Sequence, residues 1–108
     1  MNREIVNPGI KYFIVSLKHT HKRDKYITLW RHKNAGYCWA IELAGQYEGY
    51  ENNYHNSGCD EDLNVPVPVE LVTEKYCTVD DLGRRCLKNS KSTLRFIKSF
   101  STPELLNL

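Results

Sequence analysis

The residues best placed for covalent chemistry are Cys59 and His55, within Tyr54-His55-Asn56-Ser57-Gly58-Cys59-Asp60. A thiol beside an imidazole can be held as thiolate and act as a nucleophile, which would make a thiol-dependent enzyme. Asp60, Glu61 and Asp62 follow directly, however, and their charges raise a thiol pKa. The simpler reading is a loop cysteine used for packing. His19 and His21 stand at a spacing seen in metal sites, but zinc needs a second close pair of ligands, and Cys38, Cys59, Cys77 and Cys86 are far apart in the chain. The run Asp60-Glu61-Asp62 lacks the Asp-x-Asp-x-Asp-Gly spacing of a calcium loop. There is no phosphate loop and no catalytic triad, so the expectation is a protein with no catalytic residue, metal or cofactor.

Two surfaces for binding remain. Glu42, Glu48, Glu51, Asp60, Glu61 and Asp62 surround Tyr47, Tyr50 and Tyr54. Carboxylates so arranged can present themselves to a Lys/Arg groove as nucleic acid does, and tyrosines are rigid anchors at protein interfaces. The same tyrosines stand at helical spacing and fit a layer covering a sheet equally well. The second surface is basic: Lys18, Lys22, Arg23, Lys25, Arg31 and Lys33 would lie in two loop tips, near aromatics able to stack bases. Charge is segregated along the chain. Residues 1–36 hold eight Lys/Arg against two acids, 37–82 one against ten, and 83–108 six against one, within a net charge of +2. Folding either interleaves these blocks or leaves one acidic or basic face to steer a partner.

The elements that would position these groups read as an α+β fold. An antiparallel sheet of at least three strands forms a meander, packed with two or three short helices from the C-terminal half. Residues 11–18 alternate, with Phe13, Val15 and Leu17 on the core face and Tyr12, Ile14, Ser16 and Lys18 opposite. In the next strand Ile27 and Leu29 share a face, opposite Tyr26, Thr28 and Trp30. Asn34 and Gly36 suit a turn with positive φ, after which Tyr37, Trp39 and Ile41 alternate with Cys38 and Ala40, placing Trp30 near Trp39. Val65-Pro66-Val67-Pro68 reads as an extended edge or connector, Pro68 as the start of a helix to Tyr76, and Thr78-Val79-Asp80-Asp81 as a capped helix start with Val79, Leu82 and Cys86 inward. A last helix over 91–100 puts Thr93, Phe96, Ile97 and Phe100 on one stripe.

A chain of 108 residues, 41% hydrophobic and 26% charged, reads as one soluble domain over 1–108, with 1–9 a lead-in and 103–108 a frayed tail. No apolar run approaches the roughly 18 residues of a membrane span, and no secretory signal follows Met1. The expected setting is cytoplasmic, with reduced thiols; two disulfides would need an oxidising compartment.

At Tyr26-Ile27-Thr28-Leu29-Trp30-Arg31, Ala35-Gly36-Tyr37-Cys38-Trp39 and Tyr54-His55-Asn56-Ser57-Gly58-Cys59 the chain resembles small uncharacterised proteins of tailed phages and prophages of enteric bacteria. The resemblance spans about half the chain and assigns no residue a role. It implies a non-enzymatic module in a bacterial host cell that engages and inhibits a host protein, including nucleic-acid-handling defence complexes such as CRISPR effectors.

Overall fold

A computed structural model describes residues 9–48 and 64–100. Its centre is strand β1, Lys11–Ser16, in which every residue after Lys11 is buried. Alternation sends Phe13 and Val15 into a main core with Ile27, Leu29, Ile41, Val65, Val67, Leu87 and Ile97. Tyr12 and Ile14 enter a smaller cluster with Tyr47, against which Ile10 and Trp30 pack. Both faces of β1 are therefore apolar and covered, the pattern of a central strand.

One edge of β1 is shared. Val15 pairs with Leu29 of β2 (Leu29–Trp30), and Tyr12 with Tyr47 of β4 (Tyr47–Glu48). Strand β3 (Tyr37–Cys38) pairs outside β2, completing the expected meander. The other edge takes β5, Asn64–Pro68, in register from Tyr12↔Pro68 to Ser16↔Asn64. Ser16 donates its N–H to the Thr28 carbonyl at 2.9 Å, so the even residues of β1 face β2 and the odd ones face β5. Val65 and Val67 then point their N–H groups at β1. Pro66 and Pro68 occupy the outward positions, where a missing donor costs the ladder nothing.

The C-terminal half departs from the expected two or three helices. Residues 68–76 form two separate 3-10 turns, Val69–Leu71 and Glu74–Tyr76, divided by extended backbone at Val72 and Thr73. Thr78-Val79-Asp80-Asp81 is not a helix start but the first arm of a hairpin, β6 (Cys77–Val79) with β7 (Arg85–Leu87). Asp80 makes the turn: one carboxylate oxygen accepts the N–H groups of Leu82 and Arg84, each at 2.9 Å, and Gly83 adopts φ +78°. Val79 and Leu82 consequently face solvent, Leu82 at 76% exposure, while Cys86 is buried as expected.

The one α-helix among the described residues, α1, spans Lys91–Lys98. Ser90 caps it by accepting the Thr93 N–H, and Thr93 and Ile97 are fully buried. Tyr76 stacks on Phe96 with centroids 4.0 Å apart, and Phe100 meets Phe96 edge-on. Helix and hairpin thus cover the Phe13 face of the sheet.

Candidate functional site

The β2–β3 ribbon is closed by residues 32–36, where Lys33, Asn34 and Gly36 all take positive φ. Asn34 and Gly36 suit that geometry; Lys33 adopts it at a steric cost. The resulting register, Trp30↔Tyr37 and Leu29↔Cys38, sets Tyr26, Thr28, Trp30, Tyr37 and Trp39 on one face. The two tryptophans do not pair with each other. Trp30 lies against Tyr37 at 4.5 Å and Trp39 against Tyr26 at 5.5 Å, because the closing turn places Tyr37, not Trp39, opposite Trp30. His19 extends the first row, 4.1 Å from Tyr37.

Trp39 is 46% exposed yet fixed. Its indole N–H donates to the Thr28 hydroxyl at 3.3 Å, and that hydroxyl donates to the His19 carbonyl at 2.8 Å. The Thr28 backbone N–H is held by Thr20 Oγ1 at 2.9 Å, so the anchor beneath the indole is satisfied on every side. Beside Trp39 opens a groove of about 670 Å³, between the β3 edge, the loop at 23–26 and the β6–β7 turn. Four cations line it: Arg23, Lys25, Arg31 and Arg84. Of its three carboxylates, Asp24 accepts the His21 N–H at 3.0 Å and Asp80 pairs with Arg84 at 2.8 Å. The Arg84 backbone N–H, with the Arg84 guanidinium and the Leu82 N–H adding to it, holds the Asp80 carboxyl below the usual range. Burial first, then the charges of Cys86, Asp81 and Asp80, pushes the Tyr26 hydroxyl up, so it stays neutral.

Of the basic residues singled out in the sequence, Arg23, Lys25 and Arg31 meet in this groove, Arg31 with its Nε on the Tyr37 carbonyl at 3.0 Å. Lys22 is exposed in the same loop, and Lys18 and Lys33 are exposed elsewhere. The acidic set separates. Glu42 accepts the Arg85 N–H at 3.2 Å and pairs with its guanidinium at 3.7 Å. Its own backbone N–H, then Arg85, lowers its pKa against partial desolvation. Tyr47 is only 4% exposed; its hydroxyl donates to the Arg31 carbonyl and accepts the Asn34 N–H. That burial makes it a covering residue of the sheet and removes it from the possible anchors. Glu48 is half-buried opposite Lys11. Tyr50, Glu51, Tyr54, His55, Cys59, Asp60, Glu61 and Asp62 lie outside the described residues.

His19 binds Ser16 Oγ through Nδ1 at 3.0 Å, and His21 is exposed. Among the described residues no three potential ligands gather around one point. Cys38, Cys77 and Cys86 are free thiols. Burial pushes each pKa up, that of Cys86 to about 11, so all three stay protonated at neutral pH.

Sequence reasoning missed the exposure of Trp39 and the place of Arg84 in the groove. The signal for Arg84 was Asp80-x-x-Gly83, which marks a turn as readily as a helix cap. Comparison with family models, curated proteins and solved structures gives no match, so the functional argument rests on this geometry. No described helix is long and apolar enough to cross a membrane.

Proposed function

We propose that this chain is a non-enzymatic binding module that takes single-stranded nucleic acid in the groove beside β3. The observation that supports this most is Trp39, a rigidly anchored and half-exposed indole at the rim of a groove with four cations. Any base can stack on such a face, and Lys/Arg beside it neutralise the backbone. Arg23 and Lys25 have no carboxylate partner among the described residues and are available for that task. The test is fluorescence anisotropy with labelled oligothymidylate. Trp39→Ala should lose roughly fivefold or more in affinity, the ~1–3 kcal/mol of one base–aromatic stack. Unchanged affinity would remove the groove from consideration.

A second reading has the acidic central segment engage and inhibit a host protein, such as a nucleic-acid-handling defence complex. Its support is the stretch 49–63, which carries Glu51, Asp60, Glu61 and Asp62 and no Lys or Arg. Under this reading a tagged protein captures a stoichiometric, salt-sensitive partner from nuclease-treated bacterial lysate. Substituting those four acids by Gln or Asn abolishes the capture, while Trp39→Ala leaves it intact.

A further inference from the structure

We infer that the bound strand leaves the groove across the loop at 21–25 and continues along the outer face of α1, where Lys91, Arg95 and Lys98 hold its phosphates. This inference rests on the single-strand reading of the groove. Asn89 makes the connection: its side-chain amide donates to the carbonyls of His21 at 3.0 Å and Asp24 at 2.9 Å, and its backbone N–H to Lys25 at 3.1 Å. The basic loop that lines the groove is thereby locked to the residue before the cap of α1. Beyond that cap, Lys91, Arg95 and Lys98 repeat at i, i+4 and i+7 on the side opposite Thr93 and Ile97. They span roughly 10 Å at 1.5 Å per residue. Leu94 and Ser99 complete the lining of a shallow depression there, of about 550 Å³.

The helix dipole accounts for Arg95 and Lys98, which lie in the last turn, but not for Lys91. The first turn of α1 has no acid and begins with Lys91, a cation at the positive end of the dipole. Lys91 and Arg95 are like charges one turn apart, which also disfavours the helix. None of the three is ion-paired among the described residues. An extended polyanion answers all three charges at once, and the Asn89 lock sets the start of the stripe beside the loop that carries Arg23 and Lys25.

The experiment compares oligothymidylates of about five and about twenty nucleotides, one near the lower limit of single-strand sites and one beyond their upper limit. Affinity is measured between about 50 and 200 mM salt. Removing three phosphate contacts by Lys91→Gln, Arg95→Gln and Lys98→Gln together should reduce the slope of log K against log salt by about 2 for the long strand, at ~0.7 per contact, and leave the short strand unchanged. Lys98→Gln alone, expected to reduce it by about 0.7, serves if the triple variant does not fold. An unaltered slope for the long strand overturns the path over α1 while the groove stands. An equal loss for both lengths makes α1 the first site and overturns the proposed order. If the wild-type chain binds neither strand, the single-strand reading itself fails.

Discussion

At the scale of single residues, side chains of like chemistry divide into structural and available ones by what their polar atoms meet. Tyr47 spends its hydroxyl on Arg31 and Asn34 and is buried, whereas Trp39 spends one N–H on Thr28 and stays 46% exposed. Trp39→Ala should therefore change the denaturation midpoint little while weakening oligothymidylate binding. Trp39→Phe should restore most of the binding, and paired urea titrations and anisotropy check both. Gly45 is the opposite case. A Cβ there would sit 2.7 Å from the Tyr47 ring and 2.8 Å from the backbone of His32, and the His32 backbone cannot turn aside as a side chain would. Gly45→Ala is expected to cost about 1–3 kcal/mol, the range for overpacking a tight site. Urea denaturation measures it, and an undiminished midpoint would contradict the close approach.

At the scale of elements, β5 and α1 carry the sharpest consequences. Val67 points its N–H at β1 and Pro66 and Pro68 point away, so the strand has a paired edge and an outward edge poor in donors, which discourages pairing with another chain. Val67→Pro should destabilise the fold by about 1–3 kcal/mol, because it removes a ladder donor from the inner edge and leaves its acceptor unpaired. Circular dichroism should show loss of the native state. Ser90→Ala should cost about 1 kcal/mol through the lost cap of α1, measured by chemical denaturation. These elements were legible beforehand, because β1, β2, β5 and α1 each have a local period or a proline pattern that tertiary packing does not contradict. The stretch 77–87 was not. Thr78, Asp80 and Asp81 serve a helix start or a hairpin equally well, and a helix of that length is marginal unless packing stabilises it. Gly83 and the two N–H groups accepted by Asp80 decide for the hairpin.

At the scale of the whole molecule, the charge blocks neither fully interleave nor stay apart. Glu42 and Glu74 of the acidic block pair with Arg85, while Asn89 brings the two basic blocks together at 21–25 and 88–98. The described residues hold fourteen Lys/Arg against seven Asp/Glu, so this body is basic despite a net charge of only +2 for the whole chain. The three thiols, Cys86 buried and Cys38 and Cys77 half-buried, add a pH dependence. Their folded pKa values are raised above the ordinary value of 9.0, Cys86 to about 11, so the unfolded chain releases protons first as pH rises. Their contribution to stability is complete below pH 9 and is lost between about pH 9 and pH 11. Urea midpoints should fall across that window, and Cys86→Ala should flatten the fall. A midpoint flat to pH 11 in the parent chain would contradict the burial of Cys86.

The sequence by itself determined where the chain extends, where its last helix lies, and which loop residues are cationic. Those properties follow from local periodicity, from prolines without donors and from the solvation of charge. Only the tertiary structure decided that Trp39 is half-exposed while Trp30 packs against the buried Tyr12, Ile14 and Tyr47. Both faces of the β2–β3 ribbon are apolar in sequence, so exposure depends on which neighbours arrive. Arg84 likewise joins Arg23 and Lys25 in lining one groove through the β6–β7 turn, and Asn89 ties α1 to the loop. Contacts between residues some sixty positions apart have no local signature, because the free energy that forms them comes from burying the shared core and not from the segments themselves.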